Sequence, residues 1–232
     1  MKSILGILSR AGAMWIIAGI NAALFIASCL GVSLAPLYLG AGAEALAARP
    51  WSPLTYMFAQ TQPAHFAINI IGLIIAGAWF QTRLRGVVLA ATYVAGGLAG
   101  ALAFEALTAI AGTPGATLSG SSAAVLAVYA AITAVYGRRL GKVSPGVLGQ
   151  WSPALPLCII FVNSVFELWG DNPGGNLAHL AGILAGWAIG GYVSRSKRTG
   201  SDKAHRDIID KFERSGYSGL TADERSKLFN HQ

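Results

Sequence analysis

Two pairs of residues in this 232-residue sequence have types and spacings suited to chemistry. Ser122 and His179 form the first, because a serine hydroxyl becomes a nucleophile when an imidazole takes its proton. His65 and Asn69 form the second. They stand four residues apart, so on a helix they share a face and both can donate to one oxyanion, with the Ser122 backbone N–H as a third donor. A base-activated hydroxyl facing such donors is the equipment of a serine hydrolase. No carboxylate is placed to orient His179: Glu105 and Glu167 fall near the ends of other apolar segments and Asp171 lies in a turn. A Ser–His dyad is therefore the economical arrangement, with Asp171 a third candidate. Taken singly, each of the four has an ordinary structural role, as a serine bonding its own helix or a polar contact between helices. Their joint placement is what weakens those roles.

The elements that must position them are membrane spans. Hydrophobic residues make up 54% of the chain and charged residues 12%, whereas soluble domains carry about a quarter. Residues 11–43, 50–82 and 106–137 contain no formal charge, and each run exceeds the roughly 20 residues that cross a bilayer as helix. A soluble enzyme is excluded. The expected fold class is an all-α integral membrane protein with six transmembrane helices, at about 12–34, 64–81, 86–110, 121–137, 152–170 and 175–194. No internal repeat is evident.

The net charge of +7 sits in short basic clusters between apolar runs, which is the pattern of topology signals and not of a nucleic-acid surface. Arg83 and Arg85, Arg138, Arg139 and Lys142, and Arg195, Lys197 and Arg198 follow the second, fourth and sixth spans. With Lys2 and Arg10 they are assigned to the cytoplasm, and Met1–Arg10 reads as the lead into a permanent span instead of a cleavable signal. The outer side then holds the long 35–63 connector, the turn Thr113-Pro114-Gly115 and the turn Asp171–Gly175. Apolar pieces at Pro36–Leu39 and Trp51–Phe58 predict that the long connector lies half-submerged in the outer leaflet. Cys29 and Cys158 fall within apolar runs and read as small buried hydrophobes.

This orientation puts His65, Asn69, Ser122 and His179 at similar depth, within about two turns of the outer face. After His179, Gly182, Gly186 and Gly190 leave one face of the sixth span as bare backbone. Gly120, Ala123, Ala124, Ala127, Ala130 and Ala131 make the fourth span equally small, and packing the two would bring Ser122 to His179. Two histidines without carboxylate or thiolate neighbours make a poor zinc site, so no metal or organic cofactor is expected.

After Ser194 the chain changes character, holding 9 of the 17 Lys and Arg and 6 of the 10 Asp and Glu. Residues 1–194 read as the transmembrane domain and 195–232 as a charged cytoplasmic tail. The tail has amphipathic spacing at Ile208, Ile209, Phe212, Leu220, Leu228 and Phe229. Thr221-Ala222-Asp223-Glu224 is a capping-box pattern that starts a short helix.

Several segments together resemble the rhomboid family of intramembrane serine proteases: P-W-S-P-L-T-Y-M-F at Pro50–Phe58, H-F-A-I-N at His65–Asn69, G-S-S-A at Gly120–Ala123, and A-H-L-A-G-I-L-A-G at Ala178–Gly186. The tail stretch Ile209–Arg225 is similar to tails on some bacterial members. The resemblance implies a rhomboid-like six-helix bundle with Ser122 as nucleophile, His179 as general base, and His65, Asn69 and the Ser122 amide holding the oxyanion. It also implies a half-submerged hairpin between the first two helices, and a lateral gate at the fifth helix, with Phe161, Phe166 and Trp169. Substrates would be single-span or other membrane proteins within the lipid bilayer. Four positions depart from the family pattern: Ala123 where Gly is frequent, Leu126 where an aromatic stacks on the histidine, Ser52 in the usual Trp-Arg pair, and Gln81 in place of an acidic residue. The compact chain favours a bacterial inner membrane. A non-catalytic relative that binds membrane helices is the alternative, and a transporter fits poorly because no charge lies at mid-membrane. Substrate and oligomeric state are left open.

Overall fold

The computed structural model describes residues 12–81, 84–113, 115–136, 154–166, 168 and 170–229. Lys2, Arg10, Arg83, Pro114, Arg138, Arg139, Lys142, Glu167 and Trp169 lie outside them, and with them most of the expected basic connectors. Helices run over Ala13–Cys29 (α1), Ala43–Ala48 (α2), Ser52–Thr55 (α3), Pro63–Gln81 (α4), Gly86–Ala111 (α5), Ser122–Tyr136 (α6), Ala154–Phe166 (α7), Pro173–Ser215 (α8) and Ala222–Phe229 (α9). Gly86–Ala111 and Pro173–Ser196 are each long and apolar enough to cross a membrane, and α1 and α6 are shorter apolar helices. Ser52–Phe58 and Pro63–Ala78 make a third candidate span if taken together, bent by 93° at the break between them. The described chain divides into two compact units, parting after Gly190.

In the first unit the most enclosed element is α6, where every residue from Ala123 to Ile132 is at most 5% exposed. Its small side chains allow close neighbours on two sides. On α8, a Cβ added at Gly182, Gly186 or Gly190 would collide with the backbone oxygen of Ala123, Ala127 or Ala131 respectively. On α5, a Cβ at Gly96 would strike the Ala127 methyl, and one at Gly100 would lie 2.9 Å from that of Ala123. The methyl that Ala123 adds is thus accommodated by Gly100 on α5, while Gly182 on α8 faces the Ala123 backbone.

The outward faces are apolar instead of polar. Trp15, Ile26, Val87, Leu102, Ile110 and Leu184 are all more than half exposed, a surface that water would not tolerate but lipid does. Cys29 and Cys158 are exposed on this surface as well, so the expectation that they are buried is wrong. In a membrane protein an apolar run does not distinguish the interior from the lipid face.

The first helix also ends earlier than position 34. Gly31 adopts a left-handed φ of 90°, and the Val32 N–H turns back to the Ala27 carbonyl at 3.0 Å, closing the last turn. The connector that follows contains a feature not foreseen in an all-α reading: Leu39–Gly40 (β1) pairs antiparallel with Thr117–Leu118 (β2), Leu39 opposite Leu118. The pairing pins the connector to the chain just before α6. Further ties hold it in place. The Arg49 guanidinium donates to the Ala35 carbonyl at 2.7 Å, the Trp51 indole to that of Pro36 at 3.0 Å, and the Gly42 N–H to the Glu105 carboxylate at 3.0 Å. Ser52, where the resemblance expects arginine, has its hydroxyl buried without a partner among the described residues, and the nearby guanidinium that bonds the connector is that of Arg49.

The second unit contains the end of α8, a turn and α9. Thr221 Oγ1 accepts the Glu224 N–H at 3.2 Å and the Glu224 carboxylate accepts the Thr221 N–H at 2.7 Å, a complete capping box. The same carboxylate takes both oxygens to the Lys211 ammonium, at 2.9 and 2.8 Å. Arg225 lies 4.7 Å over the Tyr217 ring.

Two outcomes follow. Gly186→Val forces α6 and α8 apart and should destabilise the bundle by about 1–3 kcal/mol, read as a fall in melting temperature in detergent; an unchanged melting temperature would contradict the seam. In the tail, the hydrogen bond from Lys211 first, then that from the Thr221 N–H, hold the Glu224 carboxyl at about 2, below its ordinary 4.5. A depressed folded-state value means that the pairing contributes fully above 4.5 and is lost as pH falls toward 2. Carboxyl NMR titration should place the Glu224 midpoint near 2 in the native chain and higher in Lys211→Met, though still below 4.5, because the hydrogen bonds with Thr221 remain.

Candidate active site

The chain approaches α6 through a loop that only glycine can complete. Gly120 has φ 110°, outside the range of most side chains, and its N–H donates to the Tyr56 carbonyl at 3.0 Å. A Cβ there would stand 2.7 Å from Cε1 of His65, so the imidazole lies directly over the loop. Ser122 follows as the first residue of α6.

His179 lies in the second turn of α8, one turn before Gly182, where the two backbones meet. Its Nε2 is 2.7 Å from Ser122 Oγ. Its Nδ1 is 3.1 Å from the hydroxyl of Ser164, a fully buried residue of α7. Asp171, the third candidate by sequence, is exposed in the turn before α8, and Glu105 is engaged with the connector instead. The group at the far side of the imidazole is therefore a hydroxyl.

His65 and Asn69 occupy the first two turns of α4. Together with Ser122 and His179 they line a cleft of about 400 Å³, whose remaining wall includes Ile68, Gly72, Val125, Leu126, Tyr129 and Ile160. One end of the cleft is polar and the rest apolar, the form expected of a site that receives an apolar segment and acts on one bond in it. Leu126, where the resemblance expects a stacking aromatic, is 3% exposed and part of that wall.

Asn69 is not free in the cleft. Its Nδ2 donates to Gln60 Oε1 at 2.6 Å, and Gln60 Nε2 donates in turn to Asn21 Oδ1 at 2.9 Å and to Ser121 Oγ at 3.1 Å. Gln60, Asn21 and Ser164 escaped sequence reading. Asn21 and Ser164 met the same criterion that singled out Ser122, a polar residue inside an apolar run. Gln60 met none, since a glutamine in a connector is unremarkable until the connector is known to turn inward. No group of three or more His, Cys, Asp or Glu able to hold a metal ion is present among the described residues.

A hydroxyl bonded to one ring nitrogen, with a second hydroxyl at the other, is an arrangement from which a proton can be drawn along a fixed line. Beside it stand a backbone N–H, a carboxamide and a second imidazole. Comparison with individually curated proteins returns no significant match. The model of the rhomboid domain matches residues 47–196, well over half of the chain, and that segment holds all four residues that share the cleft with their polar groups. The chain therefore belongs to the rhomboid family, and its long apolar helices make it an integral membrane protein.

Proposed function

We propose that the protein is an intramembrane serine endopeptidase that cleaves transmembrane segments of other membrane proteins near the extracytoplasmic face. The observation that carries this reading is the 2.7 Å contact between Ser122 Oγ and His179 Nε2 inside a cleft shared with His65 and Asn69. Family membership supports it, though some family members do not cut. In this reading all six apolar helices, α1, α4, α5, α6, α7 and the first part of α8, cross the bilayer, the basic connectors and both termini are cytoplasmic, and residues 195–232 form the tail. The bacterial inner membrane is the proposed site.

The substrate helix enters sideways near α7, where Phe161 and Phe166 are exposed, and unwinds to present a carbonyl. Ser122 Oγ attacks the carbonyl carbon while its proton passes to His179 Nε2. For Nε2 to accept, the neutral ring must carry its proton on Nδ1, which then donates to Ser164 Oγ. Ser164 so fixes the tautomer and stays bonded when the ring becomes imidazolium. The tetrahedral oxyanion is met by the Ser122 N–H, the Asn69 amide and His65. His179 returns the proton to the leaving amine as the C–N bond breaks, leaving an acyl-enzyme that water hydrolyses by the same exchange.

Ser122→Ala should lower cleavage of a single-span substrate by at least about 10³-fold and abolish labelling by a serine-directed phosphonate. A labelled Ser122→Ala variant would put the nucleophile elsewhere, and a wild-type chain that neither cuts nor labels would favour the non-catalytic alternative. Ser164→Ala removes one neutral hydrogen bond, so kcat should fall about five- to tenfold with KM unchanged; a wild-type kcat would mean that the Nδ1 contact does not serve the reaction.

A further inference from the structure

Five polar side chains, each at most 5% exposed, run from the cleft wall inward: Asn69, Gln60, Ser121, Asn21 and Tyr93. Burying so many in an apolar bundle is costly unless every donor and acceptor is matched, and the matching here has a sense. Asn69 donates to Gln60, Gln60 to Asn21, Asn21 Nδ2 to the Tyr93 hydroxyl at 3.3 Å, and the Tyr93 hydroxyl to the Met57 carbonyl at 2.9 Å. All four hydrogen bonds run in one sense, from Asn69 at the cleft toward Met57. The sense cannot reverse, because the far end rests on backbone carbonyls: that of Met57, and that of Ile17, which takes the Asn21 amide at 2.9 Å.

A carboxamide has two ends of nearly equal shape and opposite hydrogen-bonding character. Turned over, Asn69 would set its oxygen against the Gln60 oxygen. In the orientation seen, one hydrogen of Nδ2 goes to Gln60 and the other is left for the cleft that Asn69 lines. Gln60 also donates to Ser121, the residue before the proposed nucleophile. One amide at the corner between α3 and α4 is thus the common reference for the Asn69 donor and for the start of α6.

We propose that Gln60 is a positioning residue: its Oε1 holds the Asn69 carboxamide so that an N–H faces the oxyanion, with Asn21 and Tyr93 fixing the orientation of Gln60. The inference rests on the endopeptidase reading and adds to it a residue that touches no substrate. Its mark is non-additivity, since a residue acting through Asn69 has nothing left to act through once that amide is gone.

The test measures kcat per phosphonate-titrated active site, together with melting temperature, in full-length protein. Asn69→Ala is expected to lower kcat about 10²-fold and Gln60→Leu about tenfold with KM unchanged, while the double variant matches Asn69→Ala within about twofold. Gln60→Glu keeps an oxygen toward Asn69 in either protonation state, so it should recover most of the kcat that Gln60→Leu loses without recovering the melting temperature. A Gln60→Leu enzyme with wild-type kcat, or losses that multiply to about 10³-fold in the double variant, overturns the proposal. If Gln60→Leu does not fold, Tyr93→Phe is read in the same cycle, where a roughly threefold loss should vanish on Asn69→Ala; no loss, or one that persists, overturns it equally. Active wild type with multiplying losses removes the role of Gln60 alone, whereas wild type that neither cleaves nor labels removes the endopeptidase reading with it.

Discussion

Backbone lies against backbone along the seam of α6 and α8. Lipid tails are as apolar as leucine, so helices in a bilayer are held by fit more than by expulsion from water. Glycine at 182, 186 and 190 removes every side chain from one stripe of α8, and the carbonyls of Ala123, Ala127 and Ala131 fill the space. Ser122 and His179 sit at the top of this seam, where register leaves little freedom: rotating either helix by one residue turns its side chains through about 100°. The short distance between hydroxyl and imidazole thus rests on small residues one to three turns away. On the other flank, Gly96 and Gly100 of α5 make room for the methyls of Ala127 and Ala123.

The molecule reverses the usual placement of polarity. Its exposed faces are leucine, isoleucine and tryptophan, and its interior beneath the connector holds amides and hydroxyls in mutual hydrogen bonds. That interior exists because the chain turns sharply before Pro63, which has no N–H to continue a helix from the preceding segment. The bend brings Gln60 inward at 2% exposure, and a stacked Phe25–Phe66 pair, ring centres 4.0 Å apart, fastens α4 to α1 beside it.

Much of this was legible from uncharged run lengths and glycine spacing, since both act locally in sequence. The helices at 63–81, 86–111 and 122–136 lie close to their expected bounds, and the Gly182–Gly186–Gly190 stripe meets the alanines of α6. The four residues that opened the sequence reading line one cleft. What escaped depends on pairings distant in the chain. The β1–β2 ribbon joins residues 77 and 79 positions apart, and Ser164 acquires meaning only when α7 is laid against α8. The lipid-facing cysteines show a different limit, for hydropathy records dislike of water and says nothing about which apolar neighbour is present.

The polar end of the cleft is also where helices begin. Ser122 is the first residue of α6, His65 and Asn69 fall in the first two turns of α4, and His179 in the second turn of α8. A helix start carries unpaired N–H groups and the positive end of the peptide dipoles, equivalent to about half a charge each. Ser122 brings the start of α6 to the cleft directly, and the starts of α4 and α8 lie within two turns of it. In the endopeptidase reading, a carbonyl held there would be polarised toward its oxygen before a bond forms, so part of the stabilisation of negative charge would lie in the direction of the backbone and outlast the loss of one side-chain donor.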